Sequence, residues 1–387
     1  MGERVYFDWN ATAPLRPEAR AAMIAALDLT GNASSVHTEG RAARHLIEQT
    51  RVEVATLVGA DGNHVTFTSG ATEANMLALT PAIEAAGEKR KRDKLFVSAI
   101  EHPSVRCGGR FAPEAVEELP VSADGVVDLD GLGRALARAE RPLVSVMLAN
   151  NETGVVQPVA EIARIVHAAK GLFHVDAVQA PGRIACDVGA LGADLMTLSA
   201  HKLGGPQGAG ALVRRGDMHI AEPLIKGGGQ ERGLRAGTEN VAAIAGFGAA
   251  AAALRRSWQV EAEQMAKLRD RLEAGIKAAT PRAVIFGARV TRLPNTTLLA
   301  LPGIKAETAI IAFDLNGIAV SSGAACSSGK VQASTVLAAM AVAPELARGA
   351  IRVSIGRSTS EAEVEQFLGT WRKLSESLVK GGRELAA

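Results

Sequence analysis

The chain has 387 residues, enough for one large domain and a lesser one, and its 43 basic and 41 acidic side chains leave a formal net charge of only +2. So even a balance gathers neither nucleic acid nor anionic lipid, and the longest apolar run, "VAAIAGFGAAAAAL" at 241–254, is too short and alanine-rich to span a bilayer. Three cysteines, Cys107, Cys186 and Cys326, are an odd number without zinc-ligand spacing, which argues against a disulfide framework and a structural metal and fits a cytoplasmic protein.

The hydrophobic share is 47% but the aromatic share only 3%, so alanine, valine, leucine and isoleucine must fill the interior, as suits helices packed on a parallel sheet. In chain order, "HVTFTS" (64–69) predicts a strand before the helix "ATEANMLAL" (71–79). The basic cluster "EKRKRDK" (88–94) reads as a solvated helix end. "KLFVSA" (94–99) precedes the helix "HPSVRC" (102–107), "LVSVMLA" (143–149) precedes the helix "VAEIARIVHAA" (159–169), and the strands "LFHVDA" (172–177) and "LMTLSA" (195–200) follow. That rhythm predicts an α/β fold with ligands at the carboxyl ends of the strands. One long amphipathic helix over 251–279, with Leu254, Trp258, Met265, Leu268, Leu272 and Ile276 near helical spacing, leads out of the first domain. After it, "NTTLLAL", "AETAIIAFDLNGIAVSS", "STVLAAMAV", "AIRVSIG" and "EAEVEQFLGTWRKLSESLV" predict a compact α+β module. The expected division is 12–255 for the large domain and 256–387 for the small one, with 1–11 packing onto the latter.

The chemistry gathers at the strand ends. "TLSAHKLGGPQGAG" ends a strand with His201 and Lys202 before a glycine-rich turn, the way a Schiff-base lysine is presented to an aldehyde cofactor, although a surface lysine on a turn reads the same way. Asp176 in "HVDAVQA" sits where pyridoxal phosphate would need a carboxylate at its ring nitrogen, or where a helix N-cap would stand. "TSGATEAN" opens a helix after a strand, so the amides of Gly70, Ala71 and Thr72 with the Thr72 hydroxyl form an anion cradle or a plain capping turn. His102 in "IEHPSV" follows a further strand and is suited to stacking on a flat ring, although a lone histidine is more often structural. Four such signals at successive strand ends point together to pyridoxal phosphate. Cys326 stands apart in "SSGAACSSGK", among residues too small to pack around a core thiol, whereas Cys107 and Cys186 read as core residues.

Through "FDWNATAP", "GNASSVHTEGRAAR", "VTFTSGATEAN", "EHPSV", "NNETGVVQPV", "FHVDAVQAPGRI", "SAHKLGGPQGAGAL", "GGGQERGLRAGTEN", "VSSGAACSSGK" and "IRVSIGR", the chain resembles the class V aminotransferase-like enzymes of fold type I. Within them it is similar to the NifS/IscS-type cysteine desulfurases. The resemblance implies Lys202 as the cofactor-bound lysine, Asp176 at the pyridine nitrogen, His102 on the ring and Gln179 at the ring hydroxyl. It implies phosphate contacts from Thr72, Ser199 and His201, with Thr238 reaching in from the second subunit of a homodimer. Asn151 and Arg352 match the holders of the substrate carboxylate, a role that suits a guanidinium fork. Cys326 matches the sulfur-accepting cysteine. The implied activity is removal of sulfur from L-cysteine to give L-alanine and a persulfide on Cys326, passed to a scaffold or carrier protein for iron-sulfur or other sulfur-cofactor assembly. A selenocysteine lyase or another class V transaminase would share the cofactor pocket, and the Cys326 loop argues against both. The family's threonines after the N-terminal motif are replaced here by Ala13 and Pro14.

Overall fold

The computed structural model describes residues 4–84, 90–216, 218–323 and 334–384, with side chains described as far as residue 376. Its centre is a seven-stranded sheet in the order Val65–Thr68, Gly210–Arg214, Leu195–Ser199, Leu172–Asp176, Pro142–Ser145, Lys94–Ser98, Val116–Leu119. Neighbours from Leu195–Ser199 to Val116–Leu119 are parallel. Gly210–Arg214 runs antiparallel to both of its neighbours, so Val65–Thr68 points the same way as the parallel set. Alternate side chains sort to the two faces: Phe96, Phe173, Met196 and Leu198 into one core, Leu95, Val97, Leu143 and Leu195 into the other. After Lys94–Ser98 the chain goes out to the edge strand and returns on the other side, and at such a reversal a crevice opens beyond the carboxyl ends of the strands.

The expected strand over 143–149 stops at Ser145. The Met147 amide donates to the buried Glu101 carboxylate at 2.6 Å instead of to a neighbouring strand. The long helix starts ten residues before the expected position and spans Val241–Ala279. Its alanine run carries no polar face by which sequence periodicity marks a start, and the cap is local: Ala243 N donates to Asn240 Oδ1 at 3.0 Å. Gly246 and Gly248 let it lie close to its neighbours, since a Cβ there would stand 2.6 Å from Met23 Cγ and 2.8 Å from Thr50 Cγ2. Its first half buries Ile244, Phe247 and Leu254 against the large sheet, and its second half buries Met265, Leu268, Leu272 and Ile276 in a separate core with Phe313, Phe367 and Trp371. Phe313 and Phe367 stack there at 4.6 Å.

That second core lies on an antiparallel sheet ordered Val284–Ile285, Thr296–Ala300, Ile351–Ser354, Ser321–Ser322. The N-terminal stretch ties it to the large sheet. Val5–Tyr6 pairs in parallel with Ile318–Ala319, Trp9 N donates to Ser354 O at 3.2 Å, and Ala13 N and Arg16 N donate to His201 O and Gly204 O at 2.9 and 2.8 Å. Cys186 is buried, and burial pushes its thiol up to about 12. Cys107 departs from the core reading: its helix is only Pro103–Arg106, and the cysteine caps its end in an exposed position.

Candidate active site

A cavity of about 740 Å³ opens at the carboxyl ends of the strands. Its wall includes Gly70, Ala71, Thr72, His102, Asn151, Asp176, Gln179, Ser199, His201, Lys202 and Arg352. Thr238 is exposed and is not part of this wall, and Cys326 lies outside the described residues. Ser321 and Ser322, just before the cysteine-bearing stretch, do line it.

The cradle begins where strand Val65–Thr68 gives way to helix Ala71–Ala78, and the Thr68 hydroxyl closes the turn by donating to Gly70 O at 2.9 Å. Free amides at a helix start favour an anion. Gly210 permits the close fit of the next strand, because a Cβ there would lie 2.5 Å from the Gly70 carbonyl carbon. Glu73 in the first turn accepts from Ser69 N and Arg235 Nε, both at 2.9 Å, and from the Ser69 hydroxyl. Burial raises the Glu73 carboxyl, but these bonds outweigh it and hold the group below its usual range.

Asp176 closes its strand as a buried carboxylate, accepting from Asn75 Nδ2 at 3.0 Å and Val178 N at 3.0 Å. His102 presents its ring to the cavity and turns Nδ1 to Ser104, whose amide donates to it at 3.1 Å and whose hydroxyl lies at 2.8 Å. Enclosure by protein lowers the imidazole below its usual range, Lys202 adds to this and Asp176 opposes it. Beside it, Glu101 is buried, accepts from the Ser98 hydroxyl at 2.6 Å, and leaves Oε2 without a partner. Burial, reinforced by the charge of Asp176, pushes it up to about 8.

Lys202 leaves the strand Leu195–Ser199 on a short turn and donates from Nζ to Asn10 O at 2.5 Å and Ala11 O at 2.7 Å. Burial, then the charges of Arg352 and Arg183, push its amine down to about 7, against the pull of Asp8 and Asp176. Gln179 Nε2 donates to the same Asn10 carbonyl at 3.1 Å. His201 sets Nδ1 3.2 Å from Thr12 Oγ1, and burial pushes it down to about 4.

Arg352 reaches the cavity from the small sheet, donating to Asn151 O at 2.9 Å and Asp8 Oδ1 at 2.7 Å. Its Nε is buried without a partner, and its guanidinium as a whole is the cation that this part of the cavity wall offers to a carboxylate. Cradle, buried carboxylate, depressed lysine and arginine guanidinium together match a phosphate, a protonated ring nitrogen, an aldehyde and an amino-acid carboxylate, so the residues fit pyridoxal phosphate with its substrate. Sequence reasoning passed over Asn75, Glu101, Asp8, Asn10 and Arg183, although all five stand inside the stretches that carry the resemblance.

The chain matches the model of the Aminotransferase class-V family over residues 5–367. It is 42% identical over 372 residues to a cysteine desulfurase of Cereibacter sphaeroides, covering 95% of this chain and 94% of that one. It is 38% identical over 382 residues to the cysteine desulfurase IscS of Dictyoglomus turgidum, covering 98% and 96%. Among solved structures, the NifS-like protein of Rickettsia africae superposes with a TM-score of 0.88 at 37% identity, covering 97% of this chain and all of that one. A structure described as SspA in complex with cysteine gives 0.75 at 27% identity, covering 92% and 100%. With a family match over almost the whole length and relatives this similar end to end, the chain belongs to the aminotransferase class-V family and, within it, to the cysteine desulfurases.

Proposed function

We propose that the 740 Å³ cavity binds pyridoxal phosphate and L-cysteine, and that the sulfur leaves the substrate as a persulfide on Cys326 with L-alanine as the other product. The observation that carries the reading is a lysine whose amine is pushed down to about 7, in one cavity with the helix-start cradle, Asp176 and the Arg352 guanidinium. Bound there, pyridoxal phosphate supplies an electron sink for the charge that develops at the substrate Cα.

The chain's own groups do the rest. Gly70, Ala71 and Thr72 hold the phosphate at the helix start, with Ser199, His201 and, from a second copy of the chain, Thr238. Asp176 keeps the ring nitrogen protonated, His102 stacks on the ring, and Gln179 donates to the ring hydroxyl. Arg352 and Asn151 hold the substrate carboxylate. Lys202, its amine pushed down to about 7 and so neutral in a substantial fraction near neutral pH, takes the Cα proton. The Cys326 thiolate attacks the substrate sulfur: an S–S bond forms, the C–S bond breaks with its electron pair going to carbon, and protonation of that carbon together with return of a proton to Cα completes alanine. The persulfide then passes to a protein acceptor that serves iron-sulfur or other sulfur-cofactor assembly.

The same reading includes a cytoplasmic homodimer and a division into a cofactor domain over 12–255 and a small domain over 256–387 to which 1–11 adds. Among the described residues no helix is long and apolar enough to cross a membrane. The cysteine complex of SspA and the named relatives support L-cysteine as substrate. The test is to mix the cofactor-loaded protein with L-cysteine, assay alanine, and map the sulfur adduct by mass spectrometry. Stoichiometric alanine with an added sulfur on the peptide containing Cys326 is expected. A protein that takes up no pyridoxal phosphate, or makes no alanine, refutes the reading.

A further inference from the structure

Lys202 also borders a second, smaller cavity of about 30 Å³, room for roughly one or two water molecules, and Arg183 lies in its wall. Arg183 is buried, yet it forms no ion pair among the described residues. The carboxylate in that same wall, Glu261, is held by Arg16 through two bonds of 3.0 and 2.6 Å. A buried cation without a counter-charge is costly, so its position calls for an explanation other than stability.

Its bonds supply one. Arg183 Nη1 donates to Gln179 O at 2.8 Å and also to Gln179 Oε1. The acceptor end of the Gln179 amide is thereby fixed on Arg183, and the donor end is the one left to face Asn10 O, the carbonyl on which Lys202 Nζ also rests. A neutral, shorter residue at 183 would leave the amide free to present either end.

We propose that Arg183 is a positioning residue of the active site: it orients Gln179 so that an N–H stands beside Lys202, and its uncompensated charge favours the neutral form of the Lys202 amine. The inference rests on the reading of Lys202 as the cofactor lysine. Burial is the largest influence on Lys202, Arg352 and Arg183 act in the same direction, and Asp8 and Asp176 oppose them. His102 and His201, which share the large cavity with Lys202, are both held below their usual range, and Arg16, Arg357 and Glu261 border the small one.

Three variants separate charge from packing: Arg183→Lys keeps the charge, Arg183→Gln keeps a donor for Gln179 without the charge, and Arg183→Met keeps neither. In the full-length protein without cofactor, the rate at which an amine-reactive label modifies Lys202 is followed against pH by peptide mass spectrometry. With pyridoxal phosphate added, the pH midpoint of its visible absorption is recorded. Arg183→Gln and Arg183→Met are expected to raise both midpoints by about one unit, and Arg183→Lys to leave them near the parent. Equal midpoints for the Gln and Lys variants overturn the proposal, and so does a folded Met variant that titrates like the parent. If the Met variant fails to fold, the Gln and Lys pair decides alone. A parent that takes up no pyridoxal phosphate refutes the cofactor reading, while the labelling still judges Arg183.

Discussion

Asn75 Nδ2 donates to Asp176 Oδ2 at 3.0 Å and to Ser104 Oγ at 2.9 Å, so one fully buried amide joins the carboxylate at the end of one strand to the loop that carries His102. The bond fixes the carboxylate plane that the cofactor's ring nitrogen would meet. Asn75→Ala leaves Asp176 short of a donor in a buried site, a loss worth about 1.5 to 3 kcal/mol for a charged acceptor. Retention of pyridoxal phosphate is therefore expected to weaken tenfold or more, read from its dissociation constant by fluorescence. An unchanged constant would detach Asn75 from the cofactor site.

Glu101 gives a prediction about stability. Its folded-state carboxyl is pushed up to about 8, whereas in the unfolded chain it ionises from near 4.5. Between those values the folded state holds a proton that the unfolded state has released, so this group's contribution falls as pH rises through the window and is fully present only below about 4.5. Glu101→Gln keeps acceptors for Ser98 and Met147 and removes the titration. Measured by urea unfolding of the cofactor-free protein, the variant's stability relative to the parent is expected to improve by about 3 kcal/mol between pH 5 and pH 8. A difference that stays flat with pH contradicts the buried neutral acid.

Arg352 donates through separate nitrogens to Asn151 O and Asp8 and keeps Nε free. Lysine at this position offers a point charge in place of that fork. Arg352→Lys is expected to weaken cysteine binding by roughly 2 kcal/mol, seen as a raised KM. An unaltered KM removes Arg352 from the substrate site.

Lys202 and Cys326 are assigned separable steps. Lys202→Ala is expected to end proton removal from Cα while the cradle and Asp176 still hold the cofactor. Cys326→Ser is expected to keep the cofactor's visible absorption and its response to cysteine while alanine and sulfide production nearly cease, because a hydroxyl is a poor nucleophile toward sulfur at neutral pH. Rapid-mixing absorbance beside an alanine assay distinguishes them. Alanine formed by Cys326→Ser at close to the parent rate would remove the persulfide step and leave a lyase.

Most of the cavity wall was legible because strand-end residues announce themselves: a β-branched run, then a turn of glycine, serine or histidine. His102, Asp176, Lys202 and the 70–72 cradle all carry that mark, and the sheet order brings them to one edge. Asn75 carries none, since it lies inside a helix and its partner Asp176 is 101 positions away. Glu101 reads in sequence like any surface acid, because burial is a property of the assembled sheet. Cys107 was misjudged for the opposite reason: its neighbours predict a longer helix than the single turn that forms, and the turn leaves the thiol outside.

The threading of residues 5–16 constrains the order in which the protein can be made. These residues are synthesised long before the partners they rest on, Gly317, Ala319 and Ser354 on one side and His201 and Gly204 on the other. Asn10, on whose carbonyl Lys202 rests, gains its last anchor when Ser354 has emerged, because the Asn10 amide donates to the Ser354 hydroxyl at 3.0 Å. A nascent chain that stops short of Ser354 can fold its large sheet but not complete the lysine's seat. Contacts of such long sequence separation are slow to form, so the pocket is a late product of folding and cofactor uptake marks a chain synthesised past that point.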